Sequence, residues 1–457
     1  MKKREIKIFT SLFLALLIFA TSYRIIHAEE NDEEYGHLYW GINDNTFYLS
    51  PTSQGYAINQ DDYTLVNLSD GLIYCPMWLV FSNEETQCME PRDLNNITTV
   101  EILVDGDMKI TPKNMSEWFY NFTNLKEVNG LENIDYSRLE WTSNMFDGCS
   151  SLEYIDASLI DVSNVEYMEC MFRNCSSLNE LDLSNWDTKN VKEIYSIFSG
   201  CSELKNINIL KFDLSNVSNV SNIFCGCENI KNIDISLIKF NKTMNFNYMF
   251  YDCHNLEKVI FPNNLKIKIK SMEGLFNNCY MLQEVDFPIF EIYPSSTPNI
   301  KNSIDNMFNN CSSLEEINIS SLSTKNIESM NNMFSGCTSL KKIIVSDKWD
   351  IDNKEIESND MFLGCTNLVG QSGTKYDDNH IDATYAKVDE GETNPGYFTT
   401  INDNINKPTD SNIDNEHKPV VIEEKESISI STICTIAIPT LLALLIVGLI
   451  LNKKRIK

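Results

Sequence analysis

The feature that most constrains this chain is a block of the form Met-Phe-x-x-Cys-x-x-Leu, which returns ten times and most often every 26 residues. A fixed period of this length is typical of stacked repeats, in which one unit is too small to bury its own apolar side. The sequence therefore predicts a solenoid, whose long surface favours binding over catalysis. The ten copies begin at Trp118, Met145, Met171, Ile197, Ile223, Met249, Leu275, Met307, Met333 and Met361.

Each repeat is predicted to contain a strand, a turn and a short helix. In the copy at residues 178–202, Leu181 and Leu183 share one face of an extended segment. Farther on, Ile194 and Phe198 belong to an apolar stripe with the spacing of a short α- or 3₁₀-helix. Phe198 is therefore a predicted core residue. The expected fold class is α/β: a leucine-rich-repeat solenoid of about ten 26-residue strand–turn–short-helix units, with a small β-rich N-terminal cap and a C-terminal transmembrane helix.

Two adjacent positions of the repeat are nearly invariant. The first holds only Gly, Asn or Asp, which enter the left-handed backbone region at least cost and are expected at a helix C-terminus. The second holds a cysteine, and we expect these thiols to be free, buried core groups rather than disulfides. Outside the repeats, Cys75 and Cys88 are open to pairing. The repeat cysteines are Cys149, Cys175, Cys201, Cys227, Cys253, Cys279, Cys311, Cys337 and Cys365.

The two ends differ from the repeats. Basic residues precede an apolar run at 8–20, which indicates a secretory signal peptide. An uncharged run at 428–452, followed by four basic residues, predicts a membrane-spanning helix with a cytoplasmic tail. The ectodomain is then extracellular on a single-pass anchor. The predicted segments are a signal peptide (1–28), an N-terminal cap (29–96), the solenoid (97–368), a C-terminal cap (369–400), a disordered stalk (401–427), the transmembrane helix (428–452) and the basic tail (453–457).

Charge and motifs exclude several functions. The net charge of −28 repels phosphate backbones, so nucleic acid is not an expected partner. The five histidines show no metal-ligand spacing, and the sequence has no nucleophile elbow, phosphate loop or zinc-protease motif. We therefore expect no catalytic residue, no metal and no cofactor, and predict that the chain is not an enzyme.

Two surfaces are candidates for binding. Outward strand positions should form one row across the sheet, which is interpreted either as a ligand-facing stripe or as an ordinary solvated face. Extra residues around 288–300 break the period, and Tyr293 and Ser295 are candidates there; the alternative is neutral drift of a tolerated loop. The polar members of the row are Asp156, Asp182, Asn208, Asp234, Asp286 and Asn318, interleaved with Ile260 and Ile344.

The unit Leu-x-x-Leu-x-Leu-Ser-x-Trp-Asp-Thr-x-Asn-Val…Ile-Phe-Ser-Gly-Cys at 178–201 resembles the BspA-like leucine-rich repeat surface proteins, whose repeat also occurs in mycoplasma surface lipoproteins. The segment 373–398 is similar to the flank that closes many members. The resemblance implies a bacterial cell-surface adhesin with protein or glycan ligands on host or neighbouring cells, held in the lipid bilayer through 428–452. Alternatives are a structural surface or spacer protein without a specific ligand and a cell-surface enzyme.

Overall fold

The computed structural model describes residues 39–43, 45–50, 96–104, 109–241, 243–262, 266–292, 302–351 and 355–401. The chain divides into two compact units, 1–401 and 402–457, and the second lies outside the described residues. So do the predicted signal peptide, stalk, transmembrane helix and basic tail. Within the described ranges no helix is long and apolar enough to cross a membrane.

One face of most repeats is a short parallel strand. These strands are β3 (Thr99–Ile102), β4 (Glu127–Asn129), β5 (Glu180–Asp182), β6 (Asn206–Asn208), β8 (Asn232–Asp234), β11 (Lys258–Ile260), β13 (Glu284–Asp286), β15 (Glu316–Asn318), β16 (Lys342–Val345) and β17 (Phe398–Thr400). The pairs keep the repeat register, so that Val259 lies beside Ile233 on one side and Val285 on the other. Stacking neighbours in this way buries the inward residue of each strand, as the repeat period requires.

A second set of strands lies on another face of the middle repeats. It consists of β7 (Asp213–Leu214), β9 (Lys239–Phe240), β10 (Thr243–Asn245), β12 (Lys266–Ser271) and β14 (Ile289–Ile292). Among these, β7 pairs with β9 in parallel, and β12 lies between β10 and β14. Elsewhere this face is continued by single parallel bridges such as Trp141 to Tyr167.

Apolar stretches on either side of Asn43-Asp44-Asn45 predict a hairpin in the N-terminal cap, and the structure confirms it. Strands β1 (Tyr39–Asn43) and β2 (Thr46–Ser50) pair antiparallel, and β2 then pairs in parallel with β3. The hairpin thus joins the repeat stack directly, with Phe47 and Leu49 buried in the same core. The predicted cap boundary at residue 96 stays a prediction.

About ten strands were expected to form one sheet, but the strands do not form one continuous sheet. The named strands fall into separate groups, with β1–β4 in one sheet, β5 and β6 in a second, β8, β11 and β13 in a third, and β15, β16 and β17 in a fourth. Between β4 and β5, the chain forms a 3₁₀ turn at Ala157–Leu159 in place of a strand.

The expected short helix is also wrong, because the segment before the cysteine forms neither an α-helix nor a 3₁₀-helix in any described repeat. The segment between the second face and the cysteine instead forms a compact turn. Alternate amides donate to the next repeat, as from Phe146 to Met171 at 2.8 Å, while the residues between donate three positions back, as from Cys149 to Phe146. An α-helix would need every amide to donate four positions back.

Two left-handed residues per turn explain why no helix forms. The predicted left-handed position before each cysteine is confirmed in all ten copies, from Asn121 at φ 59° to Gly364 at φ 80°. Four residues earlier, every turn has a second positive φ, for example at Asn144 (56°) and Asn332 (54°). Single residues visit this region, but a right-handed helix cannot propagate through them.

Candidate functional site

The outward strand positions are brought together, but their side chains also shape the chain. Asp182 pairs with Asn208, and both are exposed. In each case the side-chain oxygen Oδ1 accepts a hydrogen bond from the amide two residues on, at 3.0 Å from Ser184 to Asp182. Asp234 and Asn318 make the same contact with Ser236 and Ser320. Asp and Asn share this acceptor, so the row's composition reflects an Asx turn at the end of each strand.

Two predicted members of the row, Asp156 and Ile344, differ from expectation, whereas Asp286 lies where it was expected. Asp156 does not lie in a strand; it precedes the 3₁₀ turn and accepts from the Ser158 amide at 3.2 Å, because the chain bends here. Asp286 lies in β13 beside Ile260, which is exposed. Ile344 is half-buried, since β17 pairs alongside β16. A ligand-facing role for the row stays a prediction.

The loop candidates cannot be placed. Tyr293 and Ser295 lie outside the described residues. The strand that leads to them, β14, pairs with β12 and ends at Ile292.

The repeat thiols are free and buried, as predicted. Each donates a hydrogen bond to the carbonyl of a phenylalanine in the preceding repeat, as Cys201 does to Phe172 at 3.1 Å and Cys365 to Phe334 at 3.0 Å. Burial raises the pKa of both thiols to about 12. They are therefore held protonated and donate to the backbone, which makes them structural rather than reactive groups.

Catalytic chemistry finds no support in the described ranges. No group of three His, Cys, Asp or Glu residues is placed there to hold a metal ion. A void inside the stack is lined by apolar side chains, among them Ile194, Phe198 and Phe212, and so offers no polar group. His254 lies at the surface, 3.6 Å from Glu228 and stacked on Tyr280.

The sequence reasoning missed a cluster on the edge formed by the turns. We call this the aromatic turn cluster; its residues are Tyr248, Tyr251, His254, Tyr280 and Met281. The Tyr248 and Tyr251 rings meet edge to face with centroids 5.8 Å apart. His254 and Tyr280, one repeat apart, stack at 5.0 Å. Tyr280 and Met281 are 41% and 42% exposed, so bulky apolar groups face solvent on an edge otherwise built mainly from small polar residues.

The sequence contains a sign of this cluster, because its residues differ from those usual at the same positions of other repeats. The position of Tyr248 holds Asn in several other turns (Asn144, Asn222, Asn306 and Asn332), and that of Tyr280 holds Ser or Thr in most of them, including Ser312. The recurring core positions do not reveal these differences, because the differences occur only at outward positions.

Two family models match the repeats by sequence. One is described as a Mycoplasma protein of unknown function, DUF285, and matches residues 113–232 and 182–285. The other is the BspA type leucine-rich repeat region, in six copies, and matches residues 247–370. No curated protein matches the chain significantly.

Two solved structures have low similarity. A leucine-rich cell surface protein from Faecalibacterium prausnitzii is 17% identical over 75% of this chain and 93% of that one, with a TM-score of 0.30. A chain of the Toll–Spatzle complex of Drosophila is 12% identical over 72% of this chain and 53% of that one, with a TM-score of 0.15. At these scores the assignment rests on the sequence models and on the repeat itself. By the second model and by the 26-residue unit that the stack shares, the chain carries BspA-type leucine-rich repeats.

Proposed function

We propose that the chain is a cell-surface protein that adheres to host or neighbouring cells through the outward surface of its repeats. One observation carries this function: the stack places the same residue types inside every turn and different ones outside. Phe172 and Phe198 are both buried, whereas the half-buried position just after them holds Arg173 in one repeat and Ser199 in the next. A surface that varies over an invariant core is suited to recognition.

Attachment to the membrane is part of the proposal. The segment 428–452 would span the bilayer and the signal peptide would direct export, both on the evidence of sequence pattern. Alkaline carbonate extraction of cells tests the anchor. We expect the full chain to stay with the membranes and a chain ending at residue 427 to be released. Release of both would contradict the anchor.

Adhesion is tested by displaying the full chain on a bacterium that lacks it. We expect attachment to epithelial cells or to other bacteria under flow to rise above that of the same bacterium without the chain. The matched variant deletes residues 150–201, which is two repeat periods, so that Ser202 follows Cys149 in register. This variant removes Asp156 and Asp182 from the exposed row and is expected to attach less.

The results also separate the adhesin from a spacer. Attachment equal to that of cells without the chain would contradict adhesion and favour the spacer. Attachment that rises with the chain but is unaffected by the deletion would keep adhesion and exclude the strand row as its main surface. Hydrolase activity measured on the purified full chain would indicate the enzyme alternative.

A further inference from the structure

We propose, resting on the binding function above, that the aromatic turn cluster binds a neutral oligosaccharide. The cluster supplies one ring that lies against a backbone, a second ring perpendicular to it, and a stacked pair in which His254 of the same turn contacts the exposed Tyr280 of the next.

Tyr248 is the ring that lies against a backbone. It lies over Gly274 of the next repeat, where an added Cβ would come within 2.5 and 2.6 Å of the ring atoms Cδ1 and Cε1. Gly274 therefore makes room for the ring. The Tyr248 hydroxyl donates to the Glu273 carboxylate, which fixes the ring at its far end. The Gly274 backbone thus covers one face of the ring, while the Tyr248 side chain as a whole is only half-buried.

The backbone of Tyr248 shows that this placement has a cost. Its φ is 55°, in the left-handed region that a bulky side chain rarely enters. The equivalent residues Asn222 and Asn306 adopt the same φ with less strain. Glu117, Cys170 and Ser196 also adopt a positive φ at this position, but Tyr248 has the bulkiest side chain of them, and strained residues concentrate at functional sites.

The neighbouring rings complete a recess. Tyr251 stands at 82° to the Tyr248 ring and forms a wall. Tyr280 stacks on His254 with one face, and the next repeat has only Ser312 at the equivalent position. The aromatic surface thus ends at Tyr280, where the smaller Ser312 follows. Sugar C–H groups, which carry partial positive charge, pack on the negative face of an aromatic ring, and a flat ring beside a wall fits a pyranose.

Charge selects a neutral ligand. The ten turn segments contain no lysine, and their one arginine is Arg173, three repeats before the cluster. Anionic groups would therefore meet Glu228, Asp252 and Glu273 with no lysine or arginine in the same turns to compensate, which disfavours sulfated or acidic glycans.

A basic peptide is a weaker fit, because the carboxylates already have partners. Glu273 accepts from Tyr248, and Asp252 accepts from the Asn278 amide at 2.7 Å. Glu228 lies 3.6 Å from His254. A cationic ligand would have to displace these contacts, whereas a neutral sugar needs only the ring faces and hydroxyl partners at the rim.

Calorimetric titration of the full chain with cellohexaose and chitohexaose tests the site. Hyaluronan hexasaccharide is the anionic comparison and hexalysine the cationic one. We expect at least one neutral hexasaccharide to bind and the two charged probes not to bind. Tyr280→Ser, which copies Ser312, and Tyr248→Asn, which copies Asn306, should each weaken binding at least tenfold. Tyr120→Ser, at the position of Tyr251 but several repeats away, should change it less than twofold.

Stability separates a binding role from a structural one. The thermal midpoint of Tyr248→Asn should not fall, because asparagine relieves the strained φ. Neutral probes that fail to bind, variants that bind as the wild type does, or a preference for hexalysine or hyaluronan would each overturn the proposal. Cells displaying the chain that still attach under flow would then keep the adhesive function and locate it elsewhere. Loss of attachment as well would contradict both the oligosaccharide site and the adhesive function.

Discussion

The repeat interior and the closing flank at 369–401 are held together in opposite ways. Inside the stack, one small contact recurs, the thiol of each repeat cysteine donating to a carbonyl one turn back. In the flank, a single buried carboxylate carries the arrangement. Asp389 accepts from the amides of Ser372, Thr374 and Gly391 and from the Thr374 hydroxyl. The stack therefore repeats its polar contact in every turn, whereas the flank concentrates four polar contacts on one side chain.

The largest effect should come from removing a core ring. Phe198 is fully buried and stacks between Phe172 and Phe224 at centroid distances of 6.2 and 5.7 Å. Phe198→Ala should cost about 3–5 kcal/mol, as large core truncations do. Urea denaturation followed by circular dichroism measures it, with the 63% exposed Tyr154 changed to Ala as the control. Equal midpoints for the two variants would remove Phe198 from the core.

Asp389→Asn tests whether the flank depends on one group. The amide would turn its NH₂ toward backbone donors that the carboxylate now satisfies, leaving them unpaired in a buried site. We expect a loss of about 1–3 kcal/mol, on the scale of an unsatisfied buried polar group. Hydrogen exchange should show faster exchange confined to 369–401. Faster exchange spread evenly over all repeats would mean that the flank and the stack are not distinct.

Acid should weaken the flank before the stack. Burial alone would raise the Asp389 pKa, but hydrogen bonds from Thr374, Gly391 and Ser372 lower it to about 2. A carboxyl with a lower pKa in the folded chain than in the unfolded one, about 3.9, stabilises the fold above that value. The contribution is lost as pH falls from about 4 toward about 2. Unfolding of wild type and Asp389→Asn between pH 6 and 2 should show the gap between them closing. A constant gap would contradict this assignment.

A single thiol should matter less than the single carboxylate. Cys201→Ala removes the donor to Phe172 and leaves a small void, for a cost of about 1–2 kcal/mol. Thermal unfolding of this variant beside Asp389→Asn compares the two regions directly. A larger loss for Cys201→Ala would reverse the comparison.

The smallest effect should come from the exposed ion pairs between repeats. Lys258 lies 2.8 Å from Glu284 across β11 and β13, and both side chains are well exposed. Such pairs contribute about 0–1 kcal/mol and are screened by salt. Lys258→Ala should shift the unfolding midpoint only slightly, and the shift should vanish in about 1 M NaCl. A large, salt-independent loss would indicate that Lys258 contributes through packing.

The sequence predicted the parts of the fold that depend on period and residue size. The solenoid, the buried thiols and the left-handed residue at positions such as Gly200 follow from side chains that recur with the period, whereas the hairpin before β3 follows from a polar turn between two apolar stretches. The helix was wrong because its apolar spacing also suits a compact turn. The second left-handed residue, at Asn144 and Asn332, was the overlooked sign.

The candidate site was less predictable. The row of Asp182 and Asn208 was correctly placed on the exposed face. Its Asx turns were missed, because they involve backbone amides two residues later and the prediction considered only which side chains share a face. The aromatic turn cluster needs residues from two repeats to meet, as Tyr248 and Gly274 do. Such a pairing is visible only once the register between turns is known.

The alternating amides of the turn segment give the molecule a direction. Within each turn, amides such as those of Asn144 and Phe146 donate to the repeat that follows, so a turn is complete only when the next one arrives. At the far end, the Phe362 amide donates to Ile381 in the flank. In a chain that emerges N-terminus first, the backbone amides of each turn can therefore donate to the next segment as soon as it is made. The repeats can therefore assemble in order from the N-terminus, one repeat at a time, and the flank ends the series.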